Sequence, residues 1–282
     1  MEVKMKDLIR NKVKKYLLEN KENWNSETND RIYDEPIIKF ASAEDPLFKE
    51  YKTIVGKKHF TPKEAYEKEF GKNSYQGGTV ISVVLPINEK IRKGNRVQKE
   101  WASKELIASS SFDLKNISQY LTDILTEMGY KTVAPSDTKW FKKIIKLKGP
   151  ISNWSERHVA YAAGLGTFSL NEGFITEKGM AIRLVSVVTE LKLEPDVREA
   201  KNHMGNCLYY NNGTCGACIK RCPVNALSKK GHNKWKCYHH VYVATEKKFG
   251  ASQCSLCQTN VPCEYRNPTE IKRSSISGIS QG

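Results

Sequence analysis

The stretch CLYYNNGTCGACIKRCP, residues 207–223, places four cysteines within 16 residues and closes on Cys-Pro. Three chemistries pack thiols this tightly: disulfides, zinc, or iron with sulfide. The spacing through Cys207, Cys215, Cys218 and Cys222 is C-x7-C-x2-C-x3-C-P. The bacterial ferredoxin run is C-x2-C-x2-C-x3-C-P, and its fourth cysteine ligates the other cluster. Here the last three cysteines and Pro223 keep that run, while the first is set back by a longer loop. Cys237, the pair in Cys254-Ser255-Leu256-Cys257, and Cys263 follow.

Eight thiols in this order suit two 4Fe–4S clusters with interleaved ligation. The CGAC turn can offer two sulfurs to one cubane, whereas Cys222 begins a new turn and faces away. Following the ferredoxin crossover, the first cluster takes Cys207, Cys215, Cys218 and Cys263, and the second takes Cys222, Cys237, Cys254 and Cys257. Pro223 is expected to open a helix over PVNAL. Two all-thiolate zinc sites are the rival, but a zinc ribbon has no reason to keep Cys-Pro at the ferredoxin offset. Disulfides usually staple small secreted domains. Here every cysteine lies between Cys207 and Cys263, behind 206 residues that have none.

Outward from this module, 282 residues suffice for one large core, or a core and a small appended module. No run reaches the roughly 18 uninterrupted apolar residues of a membrane span. The opening MEVKMKDLIRNKVKKYLLEN is too charged for a signal peptide. It reads as an amphipathic helix with Val3, Leu8, Ile9, Val13, Tyr16 and Leu17 on a helical repeat. A cytoplasmic location is expected, where clustered cysteines are metal ligands or redox groups more often than disulfides.

The net charge is +15, and residues 201–282 hold 12 Lys+Arg against 3 Asp+Glu, hence +9. Solubility accounts for such an excess. So does docking of an acidic partner or nucleic acid, or compensation of anionic clusters. No basic–aromatic interleaving singles out nucleic acid.

The chain divides near residue 200 into an α/β region (1–200), a cluster module (201–270) and a polar, flexible tail (271–282). TVISVVLPI (79–87) and AIRLVSVVTEL (181–191) read as buried strands. Residues 111–130 read as a helix stopped by Gly129, with KTVAP as the next strand. Asn153 and Glu156 resemble a capping box. Gly164 stops that helix, and GLGTF (164–168) then sets backbone amides in the open where a ligand could be gripped. A plain helix stop and turn explains the same glycines.

With Glu156-Arg157, YAAGLGTF (161–168), GACIKRCP, KCYHH and CSLC in order, the chain resembles the epoxyqueuosine reductase and reductive dehalogenase group of cobalamin-dependent iron–sulfur enzymes. The resemblance covers about residues 75–265. It implies a nitroreductase-like α/β domain, then a ferredoxin-like two-cluster 4Fe–4S domain, with cobalamin between them. The cluster at Cys222, Cys237, Cys254 and Cys257 would be proximal to cobalt. Tyr238, His239, Ser255 and Leu256 would line the corrin face, and Gly164, Gly166, Thr167 and Phe168 would contact corrin side chains. Electrons would pass from a low-potential donor of ferredoxin or flavodoxin type through both clusters to cobalt, and then to a small-molecule or nucleoside substrate.

Two departures stand out. The epoxyqueuosine enzymes have an aspartate a few residues before the Glu-Arg pair, whereas KLKGPISNWSER has no acid before Glu156. Their tRNA-reading extension is also missing, since 19 residues follow Cys263. Candidate proton donors are then His239, His240, His158 and Tyr161, each of which also suits a structural hydrogen bond. Arg183 could pair with a cofactor amide or phosphate or a substrate carboxylate. An electron-transfer protein without its own substrate, and a zinc-stabilised nucleic-acid module, are the alternative functions.

Overall fold

The computed structural model describes residues 2–270, so the tail expected at 271–282 lies outside the described residues. At its centre is a four-stranded sheet in the order Ile37–Ser42, Thr79–Pro86, Ile182–Thr189, Thr132–Val133. Every pairing is antiparallel. All eight residues of Thr79–Pro86 are buried, because side chains alternate across a strand and both faces are covered. Ile81, Val83 and Leu85 pack under Ile9, Val13 and Leu17 of helix Glu2–Glu19 and under Ile117 and Leu121 of helix Lys115–Glu127. Val80 and Val84 face Phe48, Tyr66, Trp154 and Val159. The result is a three-layer mixed α/β arrangement with one core on each side of the sheet.

The first helix keeps only part of its expected stripe. Ile9, Val13 and Leu17 are fully buried, Tyr16 stacks on Tyr120 at 4.0 Å, and Val3 and Leu8 are exposed. The expected capping box is not formed. Ser155 is the N-cap of helix Glu156–Ala162 and makes no side-chain cap bond. Asn153 turns inward instead: its Oδ1 accepts from Lys142 N at 2.9 Å, and its Nδ2 donates to Trp140 O at 2.9 Å. Gly164 does end that helix, with φ +72, and a Cβ there would meet the Val197–Arg198 backbone at 2.9 Å.

The cysteine-bearing segment is a chain of short pieces. The helix expected at PVNAL is a turn leading into the short strand Leu227–Ser228. The amide of Ala226 donates to Cys222 Sγ at 3.1 Å, so this backbone wraps the sulfur rather than winding onward. After helix Lys234–Tyr238 comes a seven-residue π-helix, His239–Thr245. Such wide turns are rare and collect at functional sites.

Candidate cysteine-rich redox site

Side chains from the first 190 residues hold the cysteine loops in place. Helix Glu89–Arg96 contributes most. Its buried Asn95 donates through Nδ2 to Cys254 O at 3.2 Å and to Thr259 Oγ1 at 3.0 Å. One turn earlier, Arg92 pairs with Glu264 at 2.8 Å, with both side chains almost fully buried. Arg96 joins the same carboxylate at 2.8 Å. Residues 92, 95 and 96 share one helix face, so a single face grips the loops bearing Cys254 and Cys263. Elsewhere, Asn171 Nδ2 donates to Cys257 O at 3.0 Å, and Met180 N donates to Cys263 O at 2.8 Å.

Arg221, beside Cys222, is the reciprocal clamp. Its guanidinium donates to the carbonyls of Leu256 (3.2 Å), Thr259 (3.1 Å), Gln98 (2.7 Å) and Asn95 (3.1 Å). Burial lowers its pKa, and the nearby Cys254, Cys257 and Glu264 oppose that shift.

The thiols crowd one another in two neighbourhoods. Cys207, Cys215, Cys218 and Cys263 line one small pocket of about 20 Å³ together with Leu170, Met180 and Pro262. Burial pushes the Cys218 thiol up to about 11, with the charges of Cys207 and Cys215 adding to the shift. Cys263 is raised by burial and then by Cys207, Cys218 and Cys215. In the second neighbourhood, burial lifts Cys254 to about 11, and Cys237 and Cys222 contribute. Cys257 is raised by burial, then by Cys254 and Cys237, and it also feels Cys218 of the first group. Among the described residues, no three Cys, His, Asp or Glu side chains are gathered tightly enough to share one metal ion.

In GLGTF the amides of Gly164, Leu165 and Phe168 are bonded within the protein. Gly166–Phe168 is a strand paired with Phe174–Thr176, and a Cβ on Gly166 would lie 2.1 Å from Ile175 O. Leu165 N donates to Ala160 O at 3.0 Å, and Phe168 N to His203 O at 2.7 Å. Buried Thr167 accepts from Asn206 N at 2.8 Å. The segment therefore grips the backbone leading into Cys207. Phe168 also packs beside His158 and Tyr161, with ring centroids 4.7 and 6.1 Å away.

The other expected site residues are dispersed. His158 bonds Ser155 Oγ at 2.8 Å. Burial, helped by Arg157 and His59, lowers its pKa to about 3, so it is neutral at physiological pH and a poor acid. Tyr161 lies under the Arg198 guanidinium at 5.6 Å. His239 is exposed at the start of the π-helix, whereas His240 is buried and stacked on Trp101 at 5.0 Å. Tyr238 is half-buried and packs on Tyr242 at 5.0 Å. Arg183 donates to Gln253 Oε1 at 2.6 Å, just before Cys254. Ser255 is half-buried in a left-handed conformation, φ +52. Leu256 is fully buried, so it packs the module instead of lining an open face.

Sequence reasoning missed His232. Its Nδ1 lies 3.2 Å from Glu172 Oε2. Burial alone would lower its pKa, but hydrogen bonds to Cys237 and Glu172 lift it to about 9. The Glu172 carbonyl also accepts from Arg157 of the Glu-Arg pair. A polar chain thus runs from helix Glu156–Ala162 to a cysteine of the second neighbourhood.

No protein-family model matches the chain, and no curated protein matches it. Solved structures do. A selenomethionine-labelled epoxyqueuosine reductase superposes with a TM-score of 0.55 at 18% identity, over 94% of this chain and 66% of that one. Epoxyqueuosine reductase with a tRNA-Tyr epoxyqueuosine-modified stem loop gives 0.52 at 17%, with the same coverages of 94% and 66%. The Bacillus subtilis enzyme, with its catalytic aspartate loop swung out of the active site, gives 0.50 at 17%, again over 94% and 66%. The likeness is one of fold, and the chain spans 66% of the length of each of these proteins.

Proposed function

We propose that this chain, which has the fold of epoxyqueuosine reductase, is an iron–sulfur oxidoreductase that reduces a small molecule or modified nucleoside with the help of a corrinoid. The observation that supports this reading is that Cys207, Cys215, Cys218 and Cys263 line one pocket, while Cys222, Cys237, Cys254 and Cys257 lie near enough to influence one another's ionisation. Cys207, Cys215, Cys218 and Cys263 would hold one 4Fe–4S cluster, and Cys222, Cys237, Cys254 and Cys257 the other. In this reading residues 201–270 are the ferredoxin-like module and residues 1–200 the cobalamin and substrate domain. When bound, the clusters and the cobalt supply one-electron carriers of low potential.

The residues fit these groups. Raised thiol pKa values mark sulfurs that need an electropositive partner to stay ionised, and iron supplies one. The surface beside Cys237 suits a broad apolar macrocycle. Leu147, at the tip of the hairpin Lys143–Ile144 and Ile151–Ser152, is 96% exposed, and Tyr242 and Val243 are also exposed. Trp235 Nε1 donates to Leu147 O at 2.9 Å and ties that tip to helix Lys234–Tyr238. Tyr238 packs on Tyr242 at this face, and Arg183 braces the loop before Cys254 through Gln253; Ser255 would complete the corrin contact. His232, near Cys237, is oriented by Glu172 at 3.2 Å. His239, exposed at the same end, is the candidate proton donor.

The hairpin carries lysines and no carboxylate where the relatives' catalytic loop has an aspartate. That favours a second reading, an electron-transfer protein without its own substrate. Anaerobic purification followed by iron, cobalt and zinc analysis of one sample tests both. About eight irons per chain with corrinoid uptake is the expected result. Clusters without any corrinoid uptake leave the second reading, and zinc near two per chain without iron overturns both.

A further inference from the structure

We infer that an acidic one-electron carrier protein docks at the groove lined by Arg96 and Arg266, with Lys178 on its rim, against the outer wall of the Cys207 thiol pocket. This rests on the iron–sulfur reading above and gives it an entry point. The groove is lined by Glu89, Arg92, Arg96, Asn260, Val261, Pro262, Glu264, Tyr265 and Arg266. Val261 and Pro262 also line the pocket of Cys207, Cys215, Cys218 and Cys263, so the two spaces share a wall. Pro262 is exposed. A partner seated in the groove therefore lies one residue layer from the first thiol group.

The charge of the groove selects the partner. Glu264 is turned inward and satisfied by Arg92 and Arg96. Glu89 is offset by Lys93 at 3.3 Å. Asp34 accepts from the Tyr265 hydroxyl at 2.9 Å. Arg266 and Lys178 are exposed and make no ion pair within 4 Å among the described residues. Lys178 Nζ lies 6.0 Å from the Tyr265 ring, on the rim. The groove thus presents cations whose pairing is left to a partner, within a chain of net charge +15. Opposed charges of this kind steer encounter and are weakened by salt. One electron passes per encounter: the carrier is oxidised by one, the cluster is reduced by one, and no bond forms or breaks.

The test is stopped-flow reduction of the anaerobic holoprotein by a reduced acidic plant-type ferredoxin, compared with photoreduced deazaflavin as a small reductant. The double variant K178E/R266E leaves the Arg92–Glu264 clamp intact. Its rate with ferredoxin at low salt should fall by about tenfold or more, and its salt dependence should flatten. Its rate with deazaflavin and its iron content should stay unchanged. K178Q/R266Q, which adds no repulsion, should fall in between. Equal ferredoxin rates in wild type and both variants overturn the docking surface alone. A wild type with no reducible cluster under either reductant overturns the iron–sulfur reading, and this inference with it.

Discussion

Asn95 donates to the carbonyl of Cys254 across 159 residues of sequence, while its own carbonyl accepts from Arg221, the neighbour of Cys222. One buried amide on helix Glu89–Arg96 thereby fixes two cysteines of the second neighbourhood. Its Oδ1 also accepts from Ser103 N at 3.0 Å.

Replacing Asn95 with Ala strands the Cys254 carbonyl and the Ser103 amide, while the Thr259 hydroxyl keeps its bond to the Ser255 carbonyl at 3.3 Å. Each buried group left without a partner costs about 1–3 kcal/mol. The expected outcome is a lower urea midpoint, together with loss of iron from the second site ahead of the first. Retention of full iron content by N95A at wild-type stability would show that this bond is dispensable.

Glu264 should matter more than any surface charge. Burial alone would raise its pKa, but bonds from Arg96, the Asn260 amide and Arg92 hold it below the usual carboxylate range. Its stabilising contribution is therefore present above the unfolded pKa and fades as pH falls through the lowered folded value. Glu264→Gln leaves Arg92 buried without its charge partner, a loss of about 3–5 kcal/mol. Thermal melts of E264Q and R92M, with wild type followed down the acid limb, check both statements.

Glu156 has the opposite sign. Burial raises its pKa to about 7, although Ser136 and Ser186 hydrogen bonds pull it down. The folded state then holds a proton that the unfolded chain releases near pH 4.5, so stability falls as pH rises from about 4.5 to 7. At 1.36 kcal/mol per unit, the penalty above pH 7 is on the order of 3 kcal/mol. Glu156→Gln should abolish this slope and leave the protein more stable at pH 8 than at present. An unchanged denaturation profile between pH 5 and 8 would contradict it.

Gly166→Ala places a methyl 2.1 Å from the Ile175 carbonyl oxygen. Backbone on both sides leaves no flexible chain end to yield. The expected loss is about 1–3 kcal/mol, read by chemical denaturation, with looser anchoring of residues 203–206 seen as faster amide exchange.

The long apolar runs made the sheet legible. Thr79–Pro86 and Ile182–Thr189 are strands because continuous β-branched segments have no polar face to expose. Their antiparallel pairing was hidden, since burial on both faces leaves the same pattern in either orientation. Helix Lys115–Glu127 kept its period and its Gly129 stop. The cysteine spacing stood out because it is local in sequence, as in CGAC. What holds those cysteines did not read at all. Asn95, Arg92, Asn171 and Glu264 meet partners 86–172 residues away, and a lone Asn or Arg in a helix looks like surface. GLGTF read two ways because a close-packed hairpin and an open amide nest ask for the same small residues.

The grip of helix Glu89–Arg96 on Cys254 and Glu264 also sets an order of events during synthesis. The clamp leaves the ribosome some 159 to 172 residues ahead of what it holds. At 5–20 residues per second that is roughly 10–30 s. The sheet and its helices can close in that interval while the sulfurs are still being made. On the iron–sulfur reading proposed above, cluster loading would follow a finished scaffold.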